Sequence, residues 1–136
     1  MPNEIIETAT RPWAGRFSRP IAGRRYAVGD IHGCLQTFKC LVGALKLTEY
    51  DTLYLLGDYI DRGPDSKGVL DCLMQLYMDT DITMFPLMGN HEKMLLNAVT
   101  RGEEAWQFWV GNGGGATLQQ FGVKKPSDIP PDYINF

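Results

Sequence analysis

Three short stretches of this chain combine carboxylates, imidazoles and a guanidinium with glycine, in an order that predicts one chemical site. They are residues 29–33 (Gly-Asp-Ile-His-Gly), 57–63 (Gly-Asp-Tyr-Ile-Asp-Arg-Gly) and 89–92 (Gly-Asn-His-Glu). Each follows a run of apolar residues, which indicates a turn at the end of a strand. Ligands of open α/β sheets bind at the carboxyl ends of the strands. We therefore expect the three turns to lie side by side.

The polar side chains of these turns are typical ligands of divalent cations. Carboxylate, imidazole and amide oxygen form a mixed oxygen and nitrogen donor set that suits manganese, iron or zinc, and it contains no thiolate. A carboxylate on the middle strand could bridge two ions. Two metals about 3.5–4 Å apart activate a water toward hydroxide and stabilise in-line displacement at phosphorus. The pattern therefore predicts hydrolysis of a phosphoester without a covalent intermediate.

Three more residues of the turns have a place in this hypothesis. Arg62 supplies a planar guanidinium that matches two phosphate oxygens. His91 is placed to protonate a departing oxygen if another group fixes its tautomer, and Asp61 is the expected orienting group. Each motif alone is a common turn or surface pair. Their joint order is what predicts a site.

Alternating strands and helices must position these turns. Apolar runs predict strands over residues 24–28, 52–56 and 82–87, and Pro86 places the third near an edge or a bulge. Helical spacing of apolar residues predicts a helix after each of the first two strands, and Glu92 is expected to open a third. Shorter helices are predicted over residues 103–110 and 116–121. This β-α-β-α-β order indicates an α/β fold.

Two features after the third motif have alternative interpretations. Trp106 and Trp109 are three residues apart and are expected to cover core surface, with ligand stacking as the alternative. Residues 111–115 (Gly-Asn-Gly-Gly-Gly) lack the ending of a phosphate-binding P-loop. This stretch is either a flexible hinge or a backbone approach to substrate.

Composition excludes several classes of protein. The 136 residues carry a formal charge of −3, so no overall basic field indicates nucleic-acid binding. No run approaches the ~18 apolar residues of a membrane helix, and no apolar signal region begins the chain. The three cysteines lack metal or disulfide spacing and are expected to be small core residues, which favours a cytoplasmic location. Residues 1–23 are predicted to be a flexible leader.

Taken together, the three motifs resemble those of the phosphoprotein phosphatase family of calcineurin-like metallophosphoesterases. Residues 109–115 are similar to the bacterial and phage-type serine/threonine phosphatase branch. The resemblance implies that residues 24–136 form the N-terminal part of a metallophosphatase-type α/β sandwich, with the C-terminal part missing. It implies two divalent metal ions, with manganese as the first choice and iron, zinc or cobalt as alternatives.

The resemblance also implies a role for each site residue. One metal would be bound by Asp30, His32 and Asp58, and the second by Asp58 and Asn90. The remaining roles are a general acid, its partner and a phosphate clamp, which fall to His91, Asp61 and Arg62. Some family members carry arginine where this chain has Met88, and the family supplies further ligands downstream. The chain alone is therefore expected to bind metal weakly, to self-associate and to show little activity.

The implied reaction is hydrolysis of phosphate monoesters, by in-line attack of a metal-bound hydroxide on phosphoserine or phosphothreonine of a protein substrate. A symmetrical dinucleoside tetraphosphatase is an alternative, although that branch usually carries glutamine in place of His32 and aspartate in place of Glu92. A third hypothesis is a shortened, inactive relative that acts as a binding module.

Overall fold

A computed structural model of the chain describes residues 22–79 and 81–136, together with two short backbone segments nearer the N-terminus. These segments are strands β1 (Ile6–Glu7) and β2 (Gly15–Arg16), which pair antiparallel. Most of the leader predicted over residues 1–23 lies outside the described residues, and its flexibility stays a prediction.

A three-stranded parallel sheet forms the centre of the fold, in the order β3-β4-β5. Its strands are β3 (Arg25–Val28), β4 (Thr52–Leu55) and β5 (Thr83–Pro86). Val28 pairs with Leu55, and Leu55 pairs with Pro86, so all three strands end at the same level. The predicted parallel α/β arrangement is confirmed. Pro86 ends an outer strand of this sheet, where its missing N–H interrupts no ladder.

Helices connect the strands and continue after β5. Those of the α type are α1 (Leu35–Leu45), α2 (Ser66–Met78), α3 (Asn90–Thr100), α4 (Glu103–Trp109), α5 (Gly115–Phe121) and α6 (Pro131–Asn135). A kinked turn (Val110–Gly114) joins α4 to α5, with Gly113 outside helical geometry at φ +110°, and a 3₁₀ turn (Pro126–Asp128) precedes α6. The glycine-rich stretch is therefore a kink between two helices, and its flexibility as a hinge stays a prediction.

Helix α3 begins two residues earlier than the sequence predicts. The prediction placed its start at Glu92, whereas Asn90 and His91 already belong to its first turn. The reason is a cap: Glu92 Oε2 accepts a hydrogen bond from Gly89 N at 2.9 Å, which satisfies an amide that precedes the helix. Two of the predicted site residues thereby lie on a helix rather than on a loop.

The core lies between one face of the sheet and the helices. Leu53 and Leu55 point toward the helices and are fully buried, as are Val69 and Leu73 of α2. Burial of a side chain of this size contributes about 1.5–3 kcal/mol. Because β4 is the central strand and is buried along most of its length, the turn that follows it is anchored to the core.

The amino ends of β3 and β4 are tied by an ion pair at the end of the sheet opposite the three motifs. Asp51, which is 3% exposed, accepts bonds from Arg24 N at 2.7 Å, from the Arg24 guanidinium at 2.7 Å and from Thr48 N at 2.9 Å. The hydrogen bond from the Arg24 side chain, with the two backbone donors, holds the pKa of Asp51 far below its ordinary value.

Two of the three cysteines do not lie where the sequence analysis expected them. Cys34 and Cys40 are exposed, so their prediction as core residues is wrong; Leu35 and Phe38 take the buried face of α1. In the part of the chain that the structure describes, no helix has the length and apolar character to cross a membrane.

Candidate metal centre

The turns after β3 and β4 bring three potential metal ligands together. Donor atoms of Asp30, His32 and Asp58 all lie within 4.8 Å of one another. His32 Nδ1 donates to the Ile60 carbonyl oxygen at 2.7 Å, and this bond fixes the tautomer because a carbonyl can only accept. Nε2, which lies 3.9 Å from Asp30 Oδ2, is left as the ligand atom.

The turn after β5 adds the Asn90 amide to this group. The amide atom that faces Asp58 lies 3.2 Å from Oδ1 and 3.0 Å from Oδ2. In the hydrogen-bonded orientation this atom is the amide nitrogen, which donates to both carboxylate oxygens. With the amide turned over, its oxygen would face Asp58 and complete a set of hard oxygen donors of the kind that divalent cations take. The residue types at this position therefore fit a cation between Asp58 and Asn90.

Glycine allows the second and third turns to approach this closely. Gly57 has φ +95°, and a Cβ there would lie 2.2 Å from Gly89 N. A Cβ on Gly89 would lie 2.3 Å from both the backbone nitrogen and a carboxylate oxygen of Asp58. Any side chain at either position would therefore push Asp58 away from Asn90.

Glu92 holds the turn after β4 in place, a role that the sequence analysis did not assign. Its Oε2 accepts from Asp58 N at 2.7 Å as well as from Gly89 N. Its Oε1 accepts from Tyr59 N at 2.8 Å and from Ile60 N at 3.4 Å. One carboxylate thus gathers backbone amides from two turns that lie more than 30 residues apart in sequence.

His91 and Asp61 form a buried pair next to the triad. His91 Nδ1 lies 2.8 Å from Asp61 Oδ2, and both side chains are almost completely buried. The His91 ring meets the His32 ring edge to face, with centroids 4.6 Å apart. The bond at Nδ1 leaves Nε2 of His91 for a substrate, as the predicted proton donor requires.

Two residues far along the chain also bind Asp61. Trp109 Nε1 donates to Oδ2 at 2.8 Å, and Thr117 Oγ1 donates to Oδ1 at 2.7 Å. The sequence analysis expected Trp109 to cover core surface, with ligand stacking as the alternative, and its side chain is fully buried. No local pattern in the sequence could have indicated that its indole N–H reaches a carboxylate 48 positions earlier.

Arg62 lies at the surface beside the buried pair. Its backbone is left-handed, with φ +67°, and its N–H donates to the Gly113 carbonyl oxygen at 3.2 Å. A Cβ on Gly113, which has φ +110°, would lie 2.7 Å from Arg62 Cγ. The kink at residues 110–114 therefore contacts the predicted phosphate clamp, and its approach to a substrate stays a prediction.

Acidic groups dominate the centre. Carboxylates from Asp30, Asp58, Asp61 and Glu92 are gathered around the turns, and Arg62 is the cation beside them. A phosphate dianion would be repelled by this set unless divalent cations reversed the local field.

Burial raises the pKa of Tyr59, so its hydroxyl stays protonated and donates to a strand-end carbonyl, Leu87 O, at 2.5 Å.

Comparison with known proteins identifies relatives of this arrangement. The sequence model of the family described as calcineurin-like phosphoesterase matches residues 23–132. Serine/threonine-protein phosphatase 1 of Salmonella typhimurium is 40% identical over 93 residues, which is 65% of this chain and 38% of the relative. A symmetrical bis(5'-nucleosyl)-tetraphosphatase of Pseudomonas entomophila is 43% identical over 74 residues, or 54% of this chain and 25% of the relative.

A structural comparison gives a similar result. A crystal structure provisionally described as that of a diadenosine tetraphosphatase superposes with a TM-score of 0.55 at 25% identity, over 83% of this chain and 44% of the other. The chain thus spans between a quarter and two fifths of the length of these curated relatives, and less than half of the solved structure.

Proposed function

Because the chain belongs to the calcineurin-like phosphoesterase family, we propose that its three turns form the metal-binding and proton-donating part of a phosphoester hydrolase. The observation that carries this proposal is the position of the buried His91–Asp61 pair directly against the triad of Asp30, His32 and Asp58. A proton donor and an anionic ligand group at the same edge of a sheet are the two parts that metal-assisted hydrolysis needs.

Four side chains would hold two divalent cations in this proposal. Asp30, His32 and Asp58 would hold one, and Asp58 with Asn90 would hold the other, with manganese as the first candidate. When bound, such cations polarise a phosphoryl oxygen and lower the pKa of a coordinated water. Glu92 keeps the amides of the Asp58 turn fixed, so the position of Asp58 does not depend on the cation alone.

The chain's own residues would complete the hydrolysis. The guanidinium of Arg62 would pair with phosphoryl oxygens and hold the phosphorus in line with the incoming water. The water gives up one proton to solvent, and its oxygen bonds to phosphorus as the bond from phosphorus to the ester oxygen breaks. His91 Nε2 would deliver a proton to the departing ester oxygen, while Asp61 keeps the ring in place through Nδ1.

We infer phosphoserine or phosphothreonine in a protein as the first candidate substrate. Similarity to the Salmonella phosphatase supports it. So do His32 and Glu92, where the tetraphosphatase branch usually differs. The Pseudomonas relative and the structural neighbour favour a second candidate, a symmetrical dinucleoside tetraphosphate. Both substrates present a phosphoryl group and a leaving oxygen to the same residues.

The proton donor is tested with His91→Ala and two kinds of leaving group, in the chain extended by the C-terminal part that its relatives have, because the chain alone is expected to show little activity. We expect turnover of a phosphoserine peptide, in the presence of manganese, to fall about 10²–10⁴-fold, the usual contribution of a general acid. p-Nitrophenyl phosphate should lose much less, because nitrophenolate departs without a proton. Lys93→Ala, an exposed change on the same helix, is the matched control and should behave as the wild type.

Equal losses on both substrates would remove the general-acid role from His91. The substrate class is tested by comparing kcat/KM of the wild type for the phosphoserine peptide and for diadenosine tetraphosphate. A higher value for the peptide is expected, and a higher value for the dinucleotide would select the second candidate.

A further inference from the structure

The helical segment from Glu103 to Phe121 provides two buried donors to one carboxylate. Trp109 Nε1 and Thr117 Oγ1 bind different oxygens of Asp61, at 2.8 Å and 2.7 Å. Thr117 Oγ1 also accepts from Asp61 N at 3.1 Å. All three residues are fully buried. The carboxylate is thereby fixed through both of its oxygens and through its backbone.

A kink between α4 and α5 explains how both donors reach the same carboxylate. Residues eight positions apart on an ideal α-helix point about 80° away from each other, since each residue turns the helix by about 100°. Gly113, at φ +110°, interrupts the helix between the two donors, so this ideal angle does not hold between Trp109 and Thr117. Gly114 packs tightly on the indole, where a Cβ would lie 2.4 Å from Trp109 Cδ2.

We propose that Trp109 and Thr117 are positioning residues, which act on the proton donor through Asp61. Oδ2 of Asp61 accepts hydrogen bonds from Trp109 Nε1 and from His91 Nδ1, both at 2.8 Å. The indole N–H therefore fixes the orientation of this oxygen toward the imidazole. Thr117 prevents rotation of the carboxylate by holding the other oxygen. With the carboxylate fixed, His91 keeps Nδ1 inward and presents Nε2 to the substrate. The catalytic consequence of this inference rests on the proposed function. The contacts from which it is argued are independent of that function.

The first test is proton NMR of the metal-free 136-residue chain, which needs no activity. The chain has only two histidines, and both donate from Nδ1, so two downfield imidazole N–H resonances are expected. Trp109→Phe and Thr117→Val should shift or broaden the His91 resonance and leave that of His32 in place. Thr117→Ser, which keeps the hydroxyl, should restore it.

Trp106→Phe is the matched control, since Trp106 packs against the core one turn earlier on α4. It should leave both resonances unchanged. If Trp109→Phe does not fold, the Thr117→Val and Thr117→Ser pair decides. A His91 resonance unchanged in the folded variants, or changed equally by Trp106→Phe, would overturn the proposal.

The second test measures turnover with manganese in the chain extended by the C-terminal part that its relatives have, because the chain alone is expected to show little activity. Trp109→Phe and Thr117→Val should each lower kcat for a phosphoserine peptide about tenfold or more, with little change for p-nitrophenyl phosphate and in bound metal. Equal losses on both substrates would reduce these residues to a packing role. If the wild type hydrolyses no phosphoester at all, the proposed function fails, whereas the NMR result still decides the positioning of His91.

Discussion

Glu92 offers a sharp test of what holds the candidate site together. Its carboxylate accepts three backbone N–H groups at 2.7–2.9 Å and a fourth at 3.4 Å. Glu92→Gln keeps the length and shape of the side chain but replaces one oxygen with an amide group that faces two of those donors. Two N–H groups therefore lose their acceptor, and the others keep only a neutral one.

The expected cost follows from these contacts. A hydrogen bond to a charged group contributes about 1.5–3 kcal/mol, and a neutral acceptor roughly half of that. Because Glu92 is only half-buried and neighbouring bonds are not additive, we expect a loss of about 3 kcal/mol in the free energy of unfolding. For a domain of this size that loss corresponds to a fall of about 10 °C in Tm.

The assay is thermal denaturation followed by circular dichroism, with Glu104→Gln as the control. Glu104 carries the same charge in the first turn of the neighbouring helix α4 but is exposed, so its change should cost less than about 0.5 kcal/mol. Manganese titration calorimetry should also show weaker binding in Glu92→Gln only, since Asp58 loses its anchor. A Tm within about 2 °C of the control would refute the reasoning.

Three more predictions concern single residues. Asp58→Asn should remove most bound metal and abolish turnover, because the shared ligand loses its charge; full metal content by mass spectrometry together with normal turnover would contradict the bridging role. The pKa of Asp51 is lowered on folding, so its pair with Arg24 stabilises the protein above the unfolded pKa of about 3.9 and is lost as pH falls through the folded value. The stability difference between the wild type and Asp51→Asn, from urea unfolding at several pH values, should therefore shrink as the pH falls below about 4. Arg62→Gly and the control Lys46→Gly each relieve a left-handed residue, at φ +67° and φ +46°, and should keep or raise Tm. Only Arg62→Gly should weaken inhibition by inorganic phosphate.

Local sequence signals were sufficient for the sheet and for the order of the turns. The apolar run at residues 52–56 and the helical spacing after Leu35 and Ser66 are short-range patterns, so they predict strands and helices without knowledge of the fold. The parallel arrangement then followed from the alternation of those elements. It brought Asp30, His32 and Asp58 together because the carboxyl ends of the strands are level.

Groups that support the turns from a distance could not be predicted in the same way. Trp109, Thr117 and Gln120 reach the turn after β4 from about 50 residues later in the chain, and the Gln120 side chain donates to Gly63 O at 2.8 Å. Their spacing is that of an ordinary amphipathic helix. Glu92 is an intermediate case, since its cap with Gly89 is a local signal whereas its bonds to the Asp58 turn are not.

The backbone around the site explains why so many distant groups are needed. Among the described residues, five that are not glycine have positive φ, and four of them are His32, Asp58, Asp61 and Arg62. A residue held in that region costs about 1–3 kcal/mol and persists only where its surroundings enforce it. Glu92 holds Asp58, the segment from Trp109 to Thr117 holds Asp61 and Arg62, and the Asp58 carbonyl oxygen accepts from His32 N at 2.9 Å. The strained residues are two predicted metal ligands, the partner of the proton donor and the phosphate clamp. The chain therefore stabilises a backbone conformation at these residues that packing alone would not select. That placement favours a reaction at this edge of the sheet over a merely structural role for the three motifs.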